Sequence, residues 1–102
     1  MTAETGSAQR RSYKILLHLA GHEFDGLANA DIAKSLSENP ATVLRDLQVM
    51  QDVGLAEQIE QTGRWRLGPK LVQIALRFQV QMGRAEDRLN ETRRRFQAGS
   101  GA

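Results

Sequence analysis

Two sets of side chains in this sequence have the types and spacing needed to bind an anionic partner. One set recurs along a segment that starts at Asn39 and Pro40, and the other lies on a short segment around Trp65 where cationic and apolar residues alternate. Guanidinium groups bind phosphate, and small polar side chains add hydrogen bonds. These residues predict a binding surface rather than a catalytic site.

Arg45 is the strongest candidate in the first set. Val43, Leu47 and Met50 recur at spacings of four and three, which predicts a helix with those residues in the core and Arg45 on the opposite side. The positions four residues before and after Arg45 are alanine and valine, so no acid can pair with it along the helix. The candidates for contact with base edges or phosphate are Asn39, Ala41, Thr42, Leu44, Arg45 and Gln48.

Several of these side chains have a second interpretation. Asn39 is also the expected N-cap of the helix, which would occupy its side chain. Thr42 and Gln48 fit plain solvent exposure equally well. Leu44 could meet a thymine methyl group or pack on the preceding helix, and packing is the favoured interpretation.

The second set lies on a predicted strand with two faces. Arg64 and Arg66 share one face and Trp65 and Leu67 the other, so the apolar pair should point at the core, with Trp65 a wedge between hairpin and helices. The arginines should face solvent or phosphate, and the alternative is an ordinary solvated strand. The candidates here are Thr62, Arg64, Arg66 and Lys70, and Arg11 joins them from a cluster of cations near the start of the chain.

The elements that must position these residues follow from apolar periodicity and from stop signals. We predict a first helix over about 8–20, a second over 29–36 capped by Asn29, a turn at 37–38, a third from Pro40 to about Gly54, and strands over 55–59 and 64–67. The fold is therefore expected to be mainly α with a small β-hairpin. Its order is that of a winged helix-turn-helix followed by a long C-terminal helix.

The segment after Pro69 carries a heptad seam. Apolar or small residues alternate spacings of four and three at Leu71, Ala75, Phe78, Met82, Ala85, Leu89, Thr92 and Phe96. We predict dimerisation through Phe78, Met82, Ala85, Leu89 and Phe96. A parallel zipper is disfavoured because Arg88 would face Arg93, and the alternative is that the helix folds back on the first helix. Gly83 leaves a kink or break open.

Composition and length bound the remaining possibilities. A chain of 102 residues without cysteine has no disulfide, no thiolate zinc site and no thiol catalysis. His18 and His22 are four apart, but nothing nearby completes a metal site, and no catalytic arrangement is recognisable. We therefore expect a non-enzyme without cofactor, metal or evident small-molecule effector. With no signal peptide and no apolar span, we expect a cytoplasmic, nucleoid-associated protein.

The domain organisation is predicted from the same features. The expected segments are a disordered N-terminus over 1–7, a winged helix-turn-helix over 8–69, a dimerisation helix over 70–97 and a disordered tail over 98–102.

On these residues, the chain resembles the N-terminal DNA-binding domain of IclR-type transcriptional regulators. The resemblance covers roughly 12–74. It rests on Ile32-Ala33, on Thr42-Val43 with Arg45 and Leu47, on Gly54-Leu55, and above all on the run from Gly63 to Lys70, where Trp65 stands at a position usually held by tyrosine. The departures are Ala28, Glu38 and Ala41, where the family usually has a serine or threonine cap, an apolar residue and a small hydroxyl residue.

The resemblance implies double-stranded DNA binding by a small dimeric regulator, with the third helix in the major groove and the wing on the backbone. It covers no effector-binding domain, and freestanding proteins of this type look like those carried by phages and other mobile elements. The alternative function is a winged-helix protein-interaction module that does not bind DNA and assembles through its long helix. Glu38, Asp46 and Asp52 near the third helix favour that alternative.

Overall fold

The computed structural model describes residues 6–100, so the predicted disorder at 1–5 and 101–102 lies outside the described residues. The elements follow in the order α1 (Ser7–Leu19), α2 (Asn29–Leu36), α3 (Pro40–Asp52), β1 (Ala56–Gln58), β2 (Trp65–Leu67) and α4 (Pro69–Ser100). The chain divides into a winged unit that ends at Val72 and a second unit, from Gln73 onward, made of the rest of α4. The predicted fold class is confirmed.

The core of the winged unit is small and contributed by every element before α4. Its buried apolar residues are Ile15, Leu19, Ile32, Ala33, Val43, Leu47, Met50, Ala56 and Trp65. The predicted inward positions on α3 and the burial of Trp65 are confirmed. One face each of α1, α2 and α3 contributes to this core, and the opposite face of α3 is exposed to solvent.

The turn between α2 and α3 is made by local backbone chemistry. Ser37 adopts φ 56°, and the N–H groups of Ser37 and Glu38 donate to the carbonyls of Lys34 and Ala33. The Asn39 side chain then accepts from Ala41 N at 2.8 Å, and Pro40 is the first helical residue. The cap and start predicted for α3 are confirmed.

The cap predicted for α2 is wrong, although the bounds of the helix are confirmed. Ala28 is the N-cap and supplies no side-chain bond, while Asn29 is already helical. The Asn29 amide instead donates to the Pro40 carbonyl at 3.0 Å. This bond joins the starts of α2 and α3, so a tertiary contact takes the side chain that local pattern assigned to capping.

The hairpin is shorter than predicted but keeps the expected pairing. β1 and β2 are antiparallel, with Glu57 opposite Arg66 and Gln58 opposite Trp65. On its other side, Trp65 forms a bridge with Leu27, in which each N–H donates to the other carbonyl at 2.8 Å. β2 is therefore paired on both sides at Trp65, which ties the wing to the segment before α2.

Gly68, the residue that follows β2, packs its backbone tightly against the start of β1. A Cβ atom placed on Gly68 would lie 2.3 Å from the Gly54 carbonyl oxygen and 2.8 Å from Ala56 N. Real Cβ atoms do not approach backbone atoms that closely, so only glycine fits at this crossing. The run from Gly63 to Lys70 thus includes a residue that the packing itself requires.

α4 is continuous through Gly83 and extends further than predicted. It ends at Ser100, so Ala98 and Gly99 are helical rather than part of a disordered tail. Large apolar side chains along it are exposed: Val72, Ile74, Leu76, Phe78, Val80, Met82, Leu89 and Phe96. Even so, no helix within the described residues is long and apolar enough to cross a membrane.

Candidate nucleic-acid interface

The outer side of α3 carries the residues predicted to make contact. Ala41, Arg45 and Gln48 are exposed, and Thr42 is half-buried. Within residues 6–100, the Arg45 guanidinium has no hydrogen bond or ion pair. This side of α3 therefore offers one free cation flanked by small or amide side chains, a set able to donate to phosphate or to guanine acceptors.

Two other α3 candidates are less free than Arg45. The Asn39 side-chain oxygen accepts the hydrogen bond that caps α3, as the sequence predicted in the alternative to a DNA contact. Leu44 is 36% exposed, so the packing that the sequence favoured buries only part of it. Its remaining surface is apolar and could meet only an apolar group.

Arg11 holds α3 from the inside rather than projecting from the surface. Its Nε and Nη2 donate to the two carboxylate oxygens of Asp46 at 2.5 and 3.1 Å, and the two side chains are 18% and 9% exposed. The hydrogen bond to Asp46 raises the pKa of the Arg11 guanidinium, so the cation persists at any working pH. The pair fastens α1 to the middle of α3, and a DNA contact by Arg11 stays a prediction.

The buried carboxylate is the feature that sequence reasoning missed. Asp46 lies three residues after Val43 and four before Met50, so the helical period already placed it on the core side. Its acidic character argued for the surface, and the partner that makes burial tolerable lies 35 positions earlier. The signal that the sequence offered was the position of Asp46, an acid on the same side of the helix as Val43 and Met50.

The wing tip is shaped by short hydrogen bonds that leave one arginine outside. The Thr62 hydroxyl accepts from Arg64 N at 3.2 Å, and the Gln58 amide donates to the Gly63 carbonyl at 2.9 Å. Arg64 is exposed, and its side chain has no partner among the described residues. Arg66 instead pairs with Glu57 across the strands at 2.8 Å.

Further cations lie at the start of α4 and on α1. Lys70 is exposed at the start of α4. Arg10 and Lys14, with Arg11, line a cleft of about 140 Å³ beside the end of α2, where Glu38 is the acid. Within the described part of the winged unit, Arg45, Arg64 and Lys70 have no acidic partner, whereas Arg11 and Arg66 are neutralised by Asp46 and Glu57.

The described residues hold no group of three His, Asp or Glu side chains that could bind a metal ion. The histidine pair noted in the sequence, His18 and His22, is exposed.

Comparison with known proteins relates this geometry to winged helices. No family model and no curated protein sequence matches the chain. Among solved structures, the Zalpha domain of Cyprinid Herpesvirus 3 ORF112, described as binding Z-DNA, is 29% identical with a TM-score of 0.53 and covers 58% of this chain and 93% of its own. An IclR transcriptional regulator from Alicyclobacillus acidocaldarius is 26% identical with a TM-score of 0.62, covering 69% of this chain and 28% of its own.

A third similar structure, HmgR from Pseudomonas aeruginosa, is 25% identical with a TM-score of 0.60 and covers 70% of this chain. Like the Alicyclobacillus regulator, it is matched over only 28% of its own length. The chain thus corresponds to one winged-helix portion of these larger proteins. The resemblance of this chain to the IclR-type winged helix-turn-helix domain is confirmed.

Proposed function

We propose that this chain binds double-stranded DNA as a small dimeric transcriptional regulator in the cytoplasm. The exposed side of α3, with Thr42, Arg45 and Gln48, enters the major groove, and Arg64 on the wing contacts the backbone. The neighbours support the general function, since they include a transcriptional regulator and a domain described as binding Z-DNA. The residues that make contact are assigned from this chain alone.

One observation carries the proposal. Among the residues that the structure describes in the winged unit, some cations are neutralised by internal acids, whereas Arg45 and Arg64 have no acidic partner. In this proposal Arg45 meets base edges and Arg64 meets phosphate. Asp46, which the sequence counted against DNA binding, is neutralised by Arg11 and does not repel a polyanion from this face.

The backbone contacts are tested by salt dependence. If Arg64 and Lys70 each neutralise one phosphate, a dimer contacts four, and log K should fall against log salt with a slope of about −3.6. Affinity for a random duplex, measured by fluorescence anisotropy, should then drop about 150-fold between roughly 50 and 200 mM salt. Arg64→Ala should make the slope less negative by about 1.8, one phosphate in each subunit.

Base reading is tested by selecting bound sites from a random duplex pool. Arg45→Ala should remove the preference at one base pair of each half-site, a loss of about 1–3 kcal/mol or 5- to 150-fold. Arg84→Ala is the matched control because Arg84 is an exposed arginine on α4. Binding that is absent, or that is insensitive to salt and equal in all variants, would overturn the proposal.

The second candidate function is a protein-interaction module that does not bind DNA. It is favoured by Val49 and Val53 toward the end of α3, which are 59% and 54% exposed, and by the apolar side chains along α4. Polar groups rather than valines would be expected on a surface used only for a polyanion. Absence of DNA binding, with a stable fold, would leave this module as the function.

A further inference from the structure

The seam of α4 is a surface that needs a partner. Phe78, Met82, Leu89 and Phe96 are 66%, 48%, 51% and 76% exposed, although they follow one another at heptad spacing. Because α4 continues unbroken through Gly83, their register holds along the whole helix. A helix of this kind is stabilised by a second helix that covers the seam.

We infer that the partner is α4 of a second copy of this chain, running antiparallel, with Met82 of each subunit opposite Ala85 of the other. The existence of a dimer rests on the proposed function. The antiparallel direction and the register of the two helices are additional to it, because DNA binding by a dimer does not require either one.

Charge disfavours the parallel direction. Arg88 directly precedes the seam residue Leu89, and Arg93 directly follows the seam residue Thr92. In a parallel pair these two flanking positions face each other across the helices, so Arg88 of one chain would meet Arg93 of the other. Neither arginine has an acidic partner among the described residues. Antiparallel pairing brings Arg88 to Gln81 and Arg93 to Val72, so no like charges meet.

Side-chain size and charge select the register. With Met82 opposite Ala85, the other layers join Phe78 to Leu89 and Leu71 to Phe96. Each seam residue is then covered, and large residues alternate with small ones near the centre. A shift of one heptad in one direction places Arg88 opposite itself, and a shift in the other direction leaves Phe96 without a partner.

Disulfide trapping in the full chain tests direction and register together. The native chain has no cysteine, so introduced thiols are the only reactive ones. Ala75→Cys and Thr92→Cys are suitable because both positions are exposed and form one layer of the inferred pair. One variant carries an affinity tag, so that a mixed dimer has its own mobility on a non-reducing gel.

The antiparallel pair predicts a disulfide in the mixture and little in either variant alone, because identical positions would be about 25 Å apart along the axis. A parallel pair predicts the reverse, with each variant crosslinking to itself. Crosslinking of each variant to itself, or none in any sample, overturns the inference. DNA is absent from this assay, so its failure is separate from failure to bind DNA.

Light scattering with a matched pair of substitutions gives a second test. Leu89→Glu lies on the seam and Leu76→Glu on the outer side of α4, and the two leucines are 51% and 54% exposed. We expect the mass of one chain for Leu89→Glu and of two chains for Leu76→Glu. Equal effects of the two substitutions, or a monomeric native chain, would contradict the assigned seam.

Discussion

The pair between Arg11 and Asp46 should contribute more to stability than any other ion pair among the described residues. It joins α1 to α3, and its side chains are only 18% and 9% exposed, whereas the other two pairs lie at the surface. The perturbation is a double-mutant cycle made of Arg11→Met, Asp46→Leu and both together. Both replacements are apolar and approximate the volume that they remove.

The loss in free energy of unfolding depends on whether a substitution leaves a buried charge without its partner. Removing one partner of a buried pair costs about 3–5 kcal/mol because the other charge stays buried. Arg11 keeps some access to water, so Asp46→Leu should cost about 3 kcal/mol, the lower end of that range. Arg11→Met should cost about 2–3 kcal/mol. The double variant should recover to within about 1 kcal/mol of the native chain, because no charge is left unpaired.

The assay is urea unfolding followed by tryptophan fluorescence. Trp65 is the single tryptophan and is 2% exposed in the core of the winged unit, so its emission reports unfolding of that unit. The coupling energy expected from the cycle is about 4–6 kcal/mol, the sum of the two single losses less the loss of the double variant. Single variants within about 0.5 kcal/mol of native, or losses that simply add, would refute the reasoning.

Further predictions concern the cap of α3 and two glycines. Asn39→Ala should lower stability by about 1 kcal/mol by removing the cap, whereas Asn39→Asp should keep it, as measured by urea midpoints. Gly68→Ala should cost more than about 2 kcal/mol because the new methyl group would meet the Gly54 carbonyl, and a smaller loss would show that the strand can move. Gly83→Ala, where nothing lies within 4 Å, should increase helicity by circular dichroism, since glycine costs about 1 kcal/mol in a helix.

Local signals predicted the helix-turn-helix well. The start of α3 followed from short-range chemistry, because Asn39 caps the helix and Pro40 is its first residue. The alternation around Trp65 likewise predicted which side of β2 is buried. These features depend on residues within one turn of each other, so they can be read without knowing the fold.

What the sequence could not supply depends on residues far apart in the chain. The Asn29 amide bonds to Pro40, and the Asp46 carboxylate bonds to Arg11, so the tertiary fold decides both roles. The same applies to the candidate site, because the sequence could not divide the arginines into free and neutralised ones. Only the fold shows that Arg66 meets Glu57 while Arg64 remains free.

The bridge between Leu27 and Trp65 has a consequence for the behaviour of the hairpin in concentrated solution. Small sheets are prone to add strands from other molecules along an unpaired edge. At Trp65 both edges of β2 are already used, one by β1 and the other by Leu27. The outer edge of β1 is open, but this strand is only three residues long and carries Glu57. An edge so short and charged is a poor template for aggregation, so the wing should stay soluble even though its inner face is apolar.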